Sequence, residues 1–200
     1  MNAQPPPSKN FLFPVFLKAE ELSILVVGAG YAGHEKVSAL LKNSPKARLR
    51  VIAEKVSDEV AHMKEQFPQI TVEQKAFEEK DLETVQLLIL AINNKELSRE
   101  IREKAHARNI LVNVADTPDL CDFYLSAVVQ KGNLKIAVST NGKSPTIAKR
   151  VRELLEDIVP EEMDELLENI HEIRNSIKGD FAEKVKKLNE LTASLKKEPK

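Results

Sequence analysis

The chain has 200 residues, 42% of them hydrophobic, which suits a soluble globular protein of one domain or two small ones with a real core. Thirty Lys and Arg stand against 31 Asp and Glu, so the net charge is −1 and no global field favours nucleic acid or a membrane surface. A single cysteine, Cys121, excludes an intrachain disulfide and suits a reducing compartment. MNAQPPPSKN has no apolar core of signal-peptide length, and no stretch approaches the roughly 18 apolar residues of a membrane span, so a cytoplasmic location is expected.

After a disordered lead over residues 1–10, Phe11-Leu12-Phe13-Pro14-Val15-Phe16-Leu17 forms a short apolar segment expected to pack against a sheet. Ile24-Leu25-Val26-Val27 is a buried strand that runs directly into Gly28-Ala29-Gly30-Tyr31-Ala32-Gly33 and a helix with Val37, Leu40 and Leu41 on one face. From there strand and helix patterns alternate. A strand Leu49–Ala53 precedes a short helix carrying Val60, Met63 and Phe67, and Ile70–Val72 reads as a further strand. Leu87–Ile92 is a continuous apolar run, expected of a strand buried on both faces. A helix with Leu97, Ile101 and Ala105 follows, then the strand Ile110–Val114. This order predicts an α/β, Rossmann-like doubly wound parallel sheet.

The pattern changes after Asp116. Tyr124–Gln130 and Leu134–Thr140 flank Lys131-Gly132-Asn133, a spacing that fits a hairpin and is too short for a parallel crossover. Asn141-Gly142-Lys143-Ser144-Pro145 makes a turn, with Ser144 expected as N-cap and Pro145 at the first helical position. Ile147, Val151, Leu154, Leu155 and Ile158 share one helical stripe. Pro160 interrupts it, a second helix carries Met163, Leu166, Leu167, Ile170 and Ile173, and Lys178-Gly179-Asp180 breaks the pattern before a third with Val185, Leu188 and Leu191. The expected organisation is a dinucleotide domain over 1–115, a β dimerisation segment over 116–145 and a C-terminal helical domain over 146–200. A helical subdomain or a dimer interface would cover the amphipathic stripes.

Strand, glycine-rich turn and helix together point to a bound dinucleotide. In such a turn the first glycine permits the sharp bend, the second lets backbone approach a pyrophosphate, and the third lets the helix pack on the strand. Here these are Gly28, Gly30 and Gly33, and the N–H groups of the helix start face the anion. Glu54, just past the second strand, suits the adenosine ribose hydroxyls, while Lys55 beside it leaves room for a ribose phosphate. Asp116 follows the strand Ile110–Val114 at the carboxyl end of the sheet, where open α/β folds bind ligands. Two readings stand there: a general base, or an Asx-turn residue ahead of Pro118. Asp119 and Asp122 have turn or capping roles as alternatives. Lys143, Lys149, Arg150 and Arg152 bracket a helix N-terminus, either as an anion site or as a solvated face. His34, His62, His106 and His171 are scattered, so no metal cage is expected.

These motifs taken together resemble the short siroheme-synthase-type precorrin-2 dehydrogenases, some of which are also sirohydrochlorin ferrochelatases. The likeness rests on the Phe11–Leu17 lead, LVVGAGYAGHEKVSALL, NVADTPDLCDFY and above all LKIAVSTNGKSPTIAKRVRE. It implies NAD-dependent oxidation of precorrin-2 to sirohydrochlorin in siroheme biosynthesis, Fe²⁺ as a further substrate, and an interlocked homodimer. The family's aspartate falls on Asp116, its base. The family's cofactor contacts fall on Tyr31, Ala32, Glu54 and Lys55, and with Gly28, Ala29, Gly30, Gly33 and Ile92 these make the expected cofactor site. On physical grounds the carboxylates of precorrin-2 need a basic rim such as Lys143, Lys149, Arg150 and Arg152 supply, and the expected substrate site is Lys143, Ser144, Lys149 and Arg150. Two positions depart from the pattern: Ala91-Ile92-Asn93 stands where relatives commonly have Ala-Thr-Asp, and Ala53-Glu54 where they have Ala-Pro. A reading of another class is a dinucleotide-sensing module without catalysis, which has no need of a base at Asp116.

Overall fold

The computed structural model describes residues 9–177 and 180–192, which fall into two compact units. The first runs through Ser126 and includes Ser139–Pro145; the second comprises Ala127–Val138 and the residues from Thr146 onward. The first eight residues of the lead and the Lys178-Gly179 break lie outside the described residues.

The first unit is built on a five-stranded parallel sheet. Its strands are β1 (Ile24–Ala29), β2 (Leu49–Val56), β3 (Ile70–Gln74), β4 (Leu87–Leu90) and β5 (Leu111–Val114), in the order β3-β2-β1-β4-β5. Every residue of β1 and β4 is buried, because both strands lie inside the sheet with packing on both faces. The crossovers β1 to β2 and β2 to β3 are the helices α1 (Tyr31–Asn43) and α2 (Asp58–Gln66), and β4 to β5 is α3 (Lys95–His106). Side chains alternate accordingly. Ile24 and Val26 join Val37, Leu41, Val60 and Met63 in one core, whereas Leu25 and Val27 join Ile101, Ala105 and Leu90 in the other. The sheet is therefore wound on both faces, with the reversal of strand order between β1 and β4.

The structure extends β2 three residues past the expected end and closes β4 two residues early. Phe11, Phe13, Val15 and Phe16 are 91, 86, 61 and 68% exposed, so the apolar lead does not pack against the sheet. The strands it was expected to cover already have their faces filled by the two cores.

On the face opposite α1 and α2, Arg50 of β2 is held by an ion cluster that includes Asp81 of the short 3-10 turn Glu79–Leu82. Arg50 binds Glu73 through two hydrogen bonds of 2.7 and 3.1 Å and reaches Asp81 Oδ1 at 2.6 Å. Lys75 Nζ lies 2.9 Å from the same oxygen, and the Glu78 N–H donates to Asp81 Oδ2 at 2.9 Å. Asp81 is buried, and its neighbour Leu82 enters the second core, so the cluster pins the β3–β4 connection to the sheet.

The second unit holds an antiparallel hairpin of β6 (Ala127–Lys131) and β7 (Leu134–Val138) and the helices α4 (Pro145–Ile158, from Thr146), α5 (Met163–Ser176) and α6 (Phe181–Leu191). The hairpin loop is Gly132-Asn133, one residue shorter than expected, because Lys131 pairs with Leu134. Gly132 has φ +53°, and a Cβ there would fall 1.9 Å from the Asp164 carboxyl carbon. Asp164 accepts from the Asn133 N–H at 2.6 Å and its side-chain amide at 2.9 Å, which ties the hairpin tip to α5. Ile147, Leu154 and Ile158 on α4 are more than half exposed.

Burial pushes the Asp81 carboxyl up, but the Glu78 N–H, Lys75 and Arg50 outweigh it and hold the group below its ordinary value. Its contribution to stability is then complete above the usual carboxylate range and is lost as pH falls through the lowered folded value. Asp81→Asn should reduce stability at neutral pH by about 2 kcal/mol and lose less on acidification than the wild type. Urea unfolding at neutral and acid pH checks this, and equal midpoints at neutral pH contradict it.

Candidate functional site

Three close approaches shape the end of β1. Gly28 has φ +107°, and a Cβ on it would lie 2.3 Å from the Ala91 carbonyl oxygen and 3.2 Å from Ile92 Cγ2. A Cβ on Gly33 would lie 2.1 Å from the Gly28 carbonyl oxygen. Both glycines let backbone meet backbone: β1 against the end of β4, and α1 against the turn. Gly30 is different, since nothing stands within 4 Å of the place its Cβ would take. Its missing side chain serves no protein contact and leaves the turn open outward.

The start of α1 is also unlike those of α2 and α3. Ser57 accepts from the Val60 N–H and Asn94 from the Leu97 N–H, so those helices satisfy part of their own first turns. At α1 the N-cap is Gly30, which has no side chain to offer, and no acidic residue lies in the first turn. The N–H groups of Tyr31, Ala32 and Gly33 have no partner inside the helix. An anion with several oxygens, such as a pyrophosphate, fits donors arranged this way. Tyr31 is 86% exposed beside them.

Glu54 and Lys55 belong to β2 and not to the loop beyond it. Val27 pairs with Ile52 and Ala29 with Val56, so Ala53-Glu54-Lys55 bulges out opposite the single residue Gly28. Both side chains are exposed, and the Glu54 carbonyl accepts from Gln74 Nε2 at 3.1 Å. A bulge of this kind re-aims side chains beside a site. It places a carboxylate and an ammonium at the same end of the sheet as the glycine turn.

Asp116 stands two residues past the end of β5, at that same carboxyl end, in the left-handed region at φ +55°. The Asx-turn alternative is not formed. Pro118, two residues on, has no N–H to donate, and the turn is closed by the Thr117 N–H on the Val114 carbonyl at 3.3 Å. Asp116 is exposed, as is Asp119 in the following 3-10 turn, Pro118–Leu120.

Lys143 and Ser144 lie on the expected turn, whose packing partners the sequence did not disclose. Asn141 and Gly142 have φ +56° and +72°, and the Lys143 N–H donates to the Thr140 carbonyl at 3.1 Å, which makes an Asn-Gly turn of type I′. A Cβ on Gly142 would lie 3.5 Å from the Tyr124 ring and 3.6 Å from Pro118. The turn thus rests on the loop that follows Asp116. Lys149 and Arg150 are exposed residues of the other unit, where Arg150 pairs with Glu153 at 2.8 Å. Arg152 is occupied by Glu156 and Glu153 on its own helix, so the four cations do not act as one free cluster. Among the described residues no three His, Cys, Asp or Glu side chains converge as a metal site.

Residues 15–127 match the family model described as "Putative NAD(P)-binding". The chain belongs to this NAD(P)-binding family. Residues 131–158 match a second model, the sirohaem biosynthesis protein central region. Among curated proteins the chain is similar to the siroheme synthase of Pseudoalteromonas atlantica, 34% identical over 169 residues, and to that of Nitrosomonas europaea, 33% over 168. Each alignment takes in 84% of this chain and 36 or 35% of the relative, so the chain spans about a third of the length of the curated relatives it matches. The solved structure of SirC, a precorrin-2 dehydrogenase, superposes with a TM-score of 0.70 at 24% identity, covering 90% of this chain and 89% of that one. That likeness shows the fold. No helix among the described residues is long and apolar enough to cross a membrane.

Gly30→Val separates the fold from the ligand, because the space beside Gly30 is empty. The variant should keep the wild-type unfolding midpoint and bind NAD⁺ about 10- to 100-fold more weakly, the equivalent of one or two lost hydrogen bonds to a charged group. Calorimetric titration that returns the wild-type affinity contradicts the assignment.

Proposed function

We propose that this chain catalyses the NAD-dependent oxidation of precorrin-2 to sirohydrochlorin, acts as a homodimer in the cytoplasm, and takes Fe²⁺ as a further substrate for insertion into the product. The observation that carries the reading is the position of Asp116. It lies at the end of the sheet where the Gly28–Gly33 turn, the Glu54–Lys55 bulge and the end of β4 meet. Family membership supplies NAD(P) binding. Similarity to siroheme synthases over most of this chain supports the tetrapyrrole.

The oxidation removes two hydrogens from the macrocycle and leaves one new double bond. When bound, NAD⁺ takes one of them with its electron pair as a hydride. The other leaves as a proton, and Asp116 is the group we assign to receive it. The pyrophosphate is assigned to Gly28, Ala29, Gly30, Tyr31, Ala32 and Gly33. Glu54 is assigned to the ribose hydroxyls with Lys55 beside it, and Ile92, where β4 ends and next to the Gly28 turn, would line the cofactor site. Glu54 on the bulge favours NAD, since a carboxylate repels a phosphate on that ribose.

Precorrin-2 is edged with carboxylates, so it needs cations and N–H donors at the rim of the site. Lys143 and Ser144 are assigned to it, on the turn that rests against Pro118 and Tyr124. Lys149 and Arg150, exposed on α4, are assigned as further carboxylate partners. In the proposed organisation, 1–115 binds the dinucleotide, 116–145 is the β dimerisation segment and 146–200 the helical domain. Chelation calls for a similar base, because Fe²⁺ replaces pyrrole N–H protons that some group must accept.

The test is to mix the protein with precorrin-2 and NAD⁺ and follow the absorption spectra of sirohydrochlorin and NADH. The wild type should form both in equal amounts. Asp116→Asn keeps the side-chain shape and removes the base, so turnover should fall by about 10²–10⁴-fold with NAD⁺ affinity unchanged. Full turnover in that variant removes Asp116 as the base. Absence of any oxidation by the wild type, with NAD⁺ still bound, leaves a dinucleotide-sensing module.

A further inference from the structure

β5 is the last strand of the sheet, and its outer edge is closed by side chains in place of a sixth strand. The inward N–H groups of Leu111 and Ala115 donate to Gln86 and Leu90 on the β4 side. The outward groups belong to Val112 and Val114. The Val112 N–H donates to Asp122 Oδ2 at 2.8 Å, and the Val112 carbonyl accepts from the Asp122 N–H at 2.8 Å. Cys121 Sγ accepts from the Val114 N–H at 3.2 Å and is also 3.2 Å from the Val114 carbonyl, as donor to it. Asn113, buried between them, donates its side-chain amide to the Phe123 carbonyl at 2.8 Å.

This edge seal is also the far anchor of the loop that carries Asp116. The loop leaves β5 at Val114 and returns to it at Cys121 and Asp122. Cys121 Sγ lies 3.4 Å from the Thr117 carbonyl, within the loop itself. Helix α3 holds the same segment from behind. Arg102 Nε donates to the Leu120 carbonyl at 2.9 Å, Arg102 Nη2 is 3.5 Å from Asp122 Oδ1, and His106 Nε2 is 2.8 Å from Asp122 Oδ2. Inside this frame Asp116 keeps a left-handed backbone that a non-glycine residue does not adopt freely.

We propose that Asp122 and Cys121 are positioning residues for Asp116: they lock the β5 edge and so fix where the Asp116 carboxylate stands. The inference rests on the reading of Asp116 as the base. Asp122 supplies the acceptor that one backbone N–H and two α3 side chains share. Cys121 needs to remain a thiol, since only the S–H form donates to one Val114 group while accepting from the other. Burial, which pushes the Cys121 thiol up, keeps it in that form.

The test uses the full chain with Asp122→Ala, Asp122→Asn, Cys121→Ala and Cys121→Ser, beside Asp116→Asn. For Asp122→Ala and Cys121→Ala, kcat for precorrin-2 oxidation should drop by about 10- to 100-fold, the scale of a misplaced catalytic group. NAD⁺ affinity and the KM for precorrin-2 should hold. The Asn and Ser variants, which keep an acceptor or a donor, should recover most of the loss. In the protein without ligands, amide exchange at residues 115–117 should speed up in the two Ala variants and return towards wild type in the conservative ones. If Asp122→Ala does not fold, Cys121→Ala and Arg102→Gln carry the same readouts. Wild-type kcat in the Ala variants with Asp116→Asn inactive overturns the positioning role alone. A fully active Asp116→Asn overturns the base and the positioning role with it.

Discussion

The absence of a Cβ at Gly28 is the constraint on which the rest of the site depends. A methyl group there would occupy the space of the Ala91 carbonyl, so any other residue would force β1 and β4 apart at the point where the strand order reverses. With glycine the two strand ends stay adjacent, and the left-handed turn sends the chain straight into α1. Gly33 then sits against the Gly28 carbonyl, which fixes the helix start relative to the strand. What remains open is the outward side of Gly30 and the unpaired N–H groups behind it. The site is thus a consequence of tight packing on one side of the turn and its absence on the other.

Glu54, Lys55, Asp116, Lys143 and Ser144, the other residues of the first unit in the proposed site, are brought to that end of the sheet by different local devices. A bulge in β2 carries Glu54 and Lys55 there. A left-handed residue just past β5 carries Asp116. A type I′ Asn-Gly turn, resting on Pro118 and Tyr124, carries Lys143 and Ser144. Each device is irregular, and the Asp116 loop is braced by regular structure, since α3 holds it through Arg102 and His106. The side-chain seal on β5 serves two ends. It protects an edge strand that would otherwise offer free backbone groups to another chain, and it closes the loop that carries Asp116.

How much of this the sequence disclosed follows from the range of the forces involved. The parallel sheet and the glycine turn were legible because their signals are local. Ile24–Val27 and Leu87–Leu90 are continuous apolar runs, and Gly28, Gly30 and Gly33 have meaning by spacing alone. The ends of β2 and β4 were not, since pairing partners and the bulge decide where a strand stops. Asp122 looked like a turn or capping residue and Cys121 only a lone thiol, because their partners include backbone groups on β5, ten and seven positions away. Arg50, Glu73 and Asp81 meet only after three elements have folded. The Phe11–Leu17 run shows the opposite failure: its hydrophobicity suggested burial on a sheet whose faces were already taken. Pro118, by contrast, could have excluded the Asx turn at Asp116 from sequence chemistry alone.

The measurement that tests the account most directly is a crystal structure of the protein with NAD⁺ bound. The account predicts the pyrophosphate on the N–H groups of Tyr31, Ala32 and Gly33 and over Gly30, with the adenosine ribose at Glu54. It also predicts the nicotinamide end directed past Ile92 towards the Asp116 loop. A dinucleotide held elsewhere, or one whose nicotinamide points away from β5, would contradict it.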